Sequence, residues 1–118
     1  MIYCIEEIMP AAYIGEFEQI VLLAVLRLGD EAYGVPMREE IEKRTGRHVT
    51  VGALYATLDR LESKGLLHSW FADPTPQRGG RSKRYFKLLP KGVEALSAAK
   101  AMLDRMWHGV RLKRESDG

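Results

Sequence analysis

Five cations fall within residues 78–87: Arg78, Arg81, Lys83, Arg84 and Lys87. No acid occurs anywhere in residues 77–89. The chemistry such a stretch offers is phosphate contact, because guanidinium and ammonium groups are the side chains that neutralise phosphate oxygens. Gly79 and Gly80 sit between the arginines. Small, conformationally free residues let a loop tip press into a groove, and an arginine entering a narrow minor groove reads its shape. The competing reading is a solvated hairpin in which Gly79-Gly80 only makes the turn.

A second set of candidates lies upstream. Thr50, Gly52, Ala53, Ala56, Thr57, Arg60 and Lys64 recur along a segment of helical spacing. Small residues near a helix N-terminus permit close backbone approach to base edges. Thr57 can bond a base or touch a thymine methyl, and Arg60 can reach a guanine or a phosphate. An ordinary amphipathic helix with a solvated face would look similar. The link before it carries Lys43, Arg44, Arg47 and His48. With the helix amides these can hold a phosphate, or they can be solvated charges paired with Glu40 and Glu42.

Catalytic constellations are missing from the sequence. His48, His68 and His108 lie far apart, and none stands at metal-ligand spacing from Cys4 or another histidine. No Gly-rich phosphate loop with its lysine is present. The expectation is a protein without catalysis, metal or cofactor. Met106 and Trp107, with Met102 one turn back, can line an adaptable pocket for a small hydrophobic molecule or simply pack in an interface.

These side chains need elements to hold them. Phe17, Ile20, Val21, Ala24, Val25 and Leu28 follow helical spacing over residues 16–28. Leu22, Leu23 and Leu26 widen the stripe, which predicts a helix buried on two sides, closed by Gly29. A second helix is expected from about Pro36 to Gly46, with Met37 and Ile41 inward. A third runs from an N-cap at Thr50 to Gly65, with Val51, Leu54, Tyr55, Leu58 and Leu61 on its apolar face. Leu66–Ala72 and Arg84–Leu89 read as strands of a hairpin. In the second strand, alternation sets Arg84, Phe86 and Leu88 on one face and Lys83, Tyr85 and Lys87 on the other. On that pattern Phe86 is a core anchor, and Arg84 packs along the domain in place of touching a polyanion.

From Pro90 to about Lys113, Leu96, Ala99, Leu103, Met106 and Val110 are spaced 3, 4, 3, 4, a coiled-coil-like seam. A helix of that length spans on the order of 35 Å, too long to bury its seam on its own domain, so a second copy of the chain is the simplest partner. The expected fold is mainly α with a small β-hairpin: a winged helix-turn-helix over residues 16–89 and a long dimerisation helix over 90–113. An arm over 1–15 precedes them and a tail over 114–118 follows.

Composition sets the outer bounds. The chain has 118 residues, 46% hydrophobic and 29% charged, which suits one folded domain. A net charge of +2 is too small to name a partner without its local clustering. Cys4 is the single cysteine, so no internal disulfide framework exists. The start MIYCIEEIMP has acids where a signal peptide needs cations, and IVLLAVLRL is short of a membrane span. No targeting segment and no membrane contact are expected, and a cytoplasmic location follows.

The chain resembles the PadR-family transcriptional regulators over roughly residues 16–96. The resemblance rests on Tyr33-Gly34, on the run Ala53 to Glu62 (ALYATLDRLE) followed by Gly65-Leu66-Leu67, and on Gly79 to Leu88 (GGRSKRYFKL). It implies a homodimer whose C-terminal helices pack across a two-fold with help from the first helix. It implies binding of double-stranded DNA at a pseudo-palindromic operator, usually as a repressor, and the smaller subfamily with one C-terminal helix. Tyr55 matches a DNA-contacting tyrosine; Gly79, Gly80, Arg81 and Lys83 match the wing. Taken with the residues read from helical position and charge, the expected DNA-binding set is Thr50, Gly52, Ala53, Tyr55, Thr57, Arg60, Arg78, Gly79, Gly80, Arg81 and Lys83. Some relatives bind planar hydrophobic effectors between subunits, which would give Met106 and Trp107 that role. Ala56 and Ser82 stand where the family often has proline. Leu89 replaces the threonine that usually caps the last helix.

Overall fold

A computed structural model of the chain describes residues 13–72 and 82–113. Arg78, Gly79, Gly80 and Arg81 lie outside the described residues, as do most of the arm and the tail.

Helix α1 spans Glu16–Leu28. Its N-terminus is closed by Glu18, whose Oε1 accepts the Gly15 N–H at 2.9 Å. Val21, Leu22, Ala24 and Val25 are buried, while Leu23 and Leu26 stay exposed on the far side. Among the described residues the apolar run is therefore covered on one side only. Gly29 ends the helix at φ +54, a conformation costly for residues with a Cβ. A single 3-10 turn follows over Gly29–Glu31.

Helix α2 spans Gly34–Thr45. It begins two residues before the expected Pro36, which fits because the N–H missing from a first-turn proline would have no intrahelical partner. Met37 and Ile41 face the core as expected, and Gly46 closes the helix at φ +76. The link to the next helix is held by Arg38, whose Nε donates to the Val49 carbonyl at 2.9 Å. Helix α3 spans Val51–Ser63, with the Thr50 hydroxyl accepting the Ala53 N–H at 3.1 Å. That is the expected cap.

Strands β1, Leu67–Phe71, and β2, Arg84–Leu88, pair antiparallel with Leu67 opposite Leu88 and Trp70 opposite Tyr85. The sheet has a further partner that periodicity did not indicate. The Phe86 N–H donates to the Ala32 carbonyl at 3.0 Å, and Tyr33 bridges Tyr85. The turn before α2 thereby ties the hairpin to the helical core.

Helix α4 spans Pro90–Trp107. Leu89 provides no side-chain cap, as its apolar side chain requires; Pro90 starts the helix. The expected extension to Lys113 is wrong. His108 leaves the helical region and Gly109 takes φ +77, so the helix stops at Trp107. Val110 consequently lies past the helix end and is not a member of a continuous helical seam. At about 1.5 Å per residue the helix spans roughly 27 Å, not 35 Å. Its first turns are fixed by Gly92 and Ala95, both buried.

One core joins these elements: Val21 and Leu22 of α1, Met37 of α2, Leu54, Leu58 and Leu61 of α3, Leu66, and Phe86 of β2, all fully buried. The result is a mainly helical winged-helix fold with a two-stranded hairpin.

Candidate nucleic-acid interface

Helix α3 turns Leu54, Thr57, Leu58 and Leu61 inward. Their spacing of 3, 4 and 7 residues from Leu54 marks one face, and Thr57 belongs to it. Thr57 is only 4% exposed, so its expected outward, base-reading position is corrected: the hydroxyl is turned toward the Arg60 guanidinium, 3.5 Å away. Val51, expected inward, is exposed. The solvent face near the start of α3 is made of Val51, Gly52, Ala53 and Ala56. A Cβ built on Gly52 would meet nothing within 4 Å. No packing among the described residues requires that glycine.

Tyr55 is half-buried. Its hydroxyl lies 2.5 Å from where a Gly34 Cβ would stand, and its ring is 6.3 Å from that of Phe86. The Tyr33-Gly34 pair thus has a physical reason: glycine leaves the room that the Tyr55 side chain crosses at the start of α2.

Arg60 is outward-facing as expected, but it has a partner. Glu18 of α1, only 7% exposed, accepts from Arg60 Nε at 3.0 Å and from Lys64 Nζ at 2.9 Å. Burial works against the Glu18 charge; the bonds from Lys64, the Gly15 N–H and Arg60 outweigh it and hold the carboxyl below its ordinary range. The end of α3 is clamped to the start of α1, and one side of the Arg60 side chain remains in solvent.

The basic link divides in the same way. Arg44 pairs with Glu40, and Arg47 donates to Glu16 at 2.7 Å while lying over the Phe17 ring. His48 is 3.9 Å from Glu42. These are mostly exposed pairs, which hold side chains loosely and exchange readily for a phosphate.

On the hairpin, alternation holds. Phe86 and Leu88 are buried, and Arg84 faces the same way. Its guanidinium donates to Asp59 at 3.0 Å and to Glu62 at 2.8 Å, and its Nε donates to the Ser69 hydroxyl at 3.2 Å. The Ser69 hydroxyl is the largest influence holding Glu62 below the ordinary carboxylate range, with Arg84 adding to it against the cost of burial. Arg84 therefore joins the wing strand to α3 and pairs with both acids of that helix, Asp59 and Glu62. On the opposite face, Lys83 Nζ lies 4.4 Å from the Tyr33 ring centroid. Tyr33 packs on Tyr85, and Tyr85 stacks on Trp70. Nothing in the one-dimensional pattern signalled that aromatic row, because its members come from three separate segments.

The seam residues of α4 split. Leu96 and Ala99 pack partly against the core, while Leu103, Met106 and Trp107 are 48%, 72% and 53% exposed. Leu23 and Leu26 of α1 are exposed as well.

A family model described as the transcriptional regulator PadR-like family matches residues 22–98. The chain belongs to the PadR-like family of transcriptional regulators. That is a family of regulators, not of enzymes. The chain is 35% identical over 79 residues to the transcriptional regulator Rv3488 of Mycobacterium tuberculosis, covering 65% of this chain and 67% of that one. It is similar in structure to a PadR-like transcription factor from Bacteroides fragilis, at TM-score 0.66 and 26% identity over 88% of this chain and 92% of the other. A PadR family transcription regulator from Clostridium difficile R20291 matches at TM-score 0.58 and 25% identity, covering 75% and 94%. The likeness to F93, a winged-helix DNA-binding protein, is one of fold: TM-score 0.63 at 20% identity over 85% of this chain and all of F93. No helix among the described residues is long and apolar enough to cross a membrane.

Proposed function

We propose that this PadR-like regulator is a cytoplasmic homodimer that binds a pseudo-palindromic operator and represses neighbouring genes. The observation that carries DNA binding is the bare, small-residue start of α3, with Gly52 open to solvent, beside a hairpin whose sequence concentrates Arg78, Arg81, Lys83 and Lys87. Thr50, Gly52, Ala53 and the exposed edge of Tyr55 meet the major groove. Arg60 and the wing residues Arg78, Gly79, Gly80, Arg81 and Lys83 meet phosphates or the minor groove. Thr57 supports the helix from within.

Dimerisation is supported by the apolar side chains left uncovered. Leu103 and Met106 on α4 continue the line of Leu96 and Ala99, and Leu23 and Leu26 of α1 add to it. A two-fold contact through these helices would cover them and place two copies of α3 on successive half-sites. A small hydrophobic effector at Met106 and Trp107 would sit within the same contact.

The test is duplex binding to upstream DNA across a salt series. Affinity should fall steeply as salt rises, and Arg81→Ala with Lys83→Ala should weaken binding on every sequence and flatten the salt slope by about two. Salt-insensitive binding, or none, would instead indicate a winged-helix module that docks on protein.

A further inference from the structure

Arg44, Arg47, Arg60 and Arg84 each hold a carboxylate, from Glu40, Glu16, Glu18 and the Asp59–Glu62 pair. Arg38 of α2 holds none among the described residues, although Glu39 follows it and Glu42 stands one helical turn ahead. Its Nε donates instead to the Val49 carbonyl at 2.9 Å, and Val49 directly precedes the Thr50 cap of α3. That carbonyl is neutral, so the bond directs the guanidinium without cancelling its charge. The two terminal amino groups of Arg38 have no acceptor among the described residues. Arg38 is half-buried, yet no buried side-chain nitrogen among the described residues lacks a partner. These amino groups therefore reach solvent. The same bond is the inner tie of the link between α2 and α3, whose other side-chain ties, Arg47 to Glu16 and His48 to Glu42, are exposed.

We propose that Arg38 is a phosphate-contact residue of the DNA interface, aimed by the Val49 carbonyl. Its terminal amino groups take phosphate oxygens beside the point where the first turn of α3 enters the groove. The inference rests on the DNA-binding reading, and it adds a residue of α2 to a set drawn from α3 and the wing. Phosphate is the fitting anion, because the planar guanidinium fork matches two of its oxygens. The fork is already held at Nε, so little side-chain freedom is lost on contact. Arg44, Arg47 and Arg60 must first release a carboxylate to do the same; Arg38 has none to release. A purely structural Arg38 would use only its Nε edge.

The test is fluorescence anisotropy of the full-length protein on an upstream duplex and on a random duplex of equal length, each across a salt series. Arg38→Gln should weaken binding to both duplexes roughly tenfold or more and lower the salt slope by about 0.9 for each subunit bound. Arg38→Lys, which keeps the charge, should keep the wild-type slope and lose less affinity. Arg27→Gln removes the same charge from the last turn of α1 and should leave the slope unchanged. Arg38→Met, of similar length and without a donor, repeats the measurement should Arg38→Gln fold poorly. A structural role alone would lower the melting temperature and the affinity but not the slope, since the number of phosphates contacted stays the same. The proposal is overturned by a neutral variant with the wild-type slope, by a loss confined to the upstream duplex, by Arg38→Lys flattening the slope as Arg38→Gln does, or by Arg27→Gln flattening it equally. A wild-type protein without salt-dependent binding removes the DNA-binding reading and this contact with it. A steep wild-type slope unchanged in Arg38→Gln removes this contact alone.

Discussion

Gly52→Ala separates the needs of the fold from those of the proposed interface. Gly52 is the second residue of α3, it does not sit at positive φ, and a Cβ there meets nothing within 4 Å. Folding should therefore gain from the change. Alanine exceeds glycine by about 0.8–1.0 kcal/mol in a helix interior, and roughly half of that is reasonable two residues from the cap at Thr50. With an unfolding entropy of about 2.1 cal/mol/K per residue, 118 residues give about 250 cal/mol/K. The melting temperature should then rise by about 2 °C at fixed protein concentration. DNA binding should move the other way. If the α3 backbone lies against a base edge or a phosphate at Gly52, the added methyl costs about 1 kcal/mol or more, at least roughly fivefold in Kd. Thermal denaturation by circular dichroism and fluorescence anisotropy of a labelled operator duplex read the two effects. A stabilised protein with unchanged affinity would refute the close approach of α3. A destabilised one would refute the open environment of Gly52.

Gly92→Ala should have the opposite effect on folding, because its Cβ would run into the Leu66 carbonyl, which already accepts the Leu89 N–H at 2.9 Å. Overpacking against backbone costs about 1–3 kcal/mol, so a fall of several degrees in melting temperature is expected, and a neutral result would contradict this contact. Glu18 should make stability depend on acid: its folded carboxyl titrates below its ordinary value, so the stabilisation is complete above about pH 4.3 and is lost as pH falls through the folded value. In Glu18→Gln, urea midpoints should change less between about pH 5 and pH 2, with Glu62 retaining its share; an identical profile would remove Glu18 from the clamp. Leu103→Lys places a charge on the uncovered face of α4 without touching the core, and light scattering should report monomers. A dimer that survives places the interface elsewhere.

The aromatic and charged partners of the wing show how far local pattern reaches. Alternation in β2 was enough to put Arg84 with Phe86 and Leu88, away from Lys83 and Lys87, because period two is a property of any extended strand. It could not identify Asp59, Glu62 and Ser69 as the acceptors of Arg84, since all three lie on other elements, two on α3 and one on β1. Thr57 lies inside although a threonine suits either face of a helix, because it falls on the side of α3 that carries Leu54 and Leu61 into the core. The apolar spacing of α4 continues through Val110, while His108 and Gly109 end the helix before it.

The sequence by itself determined the order of elements, the cap at Thr50, the helix ends at Gly29 and Gly46, the faces of β2 and the basic wing. Each depends on neighbours within a turn or two, whose sterics and hydrogen bonds are local. Only the tertiary structure decided the joining of Ala32 and Tyr33 to the hairpin, the space Gly34 leaves for Tyr55, the burial of Thr57, and the aromatic row of Tyr33, Tyr85 and Trp70. Those features arise where segments distant in the chain meet, and which face is covered there is set by the packing of the whole core.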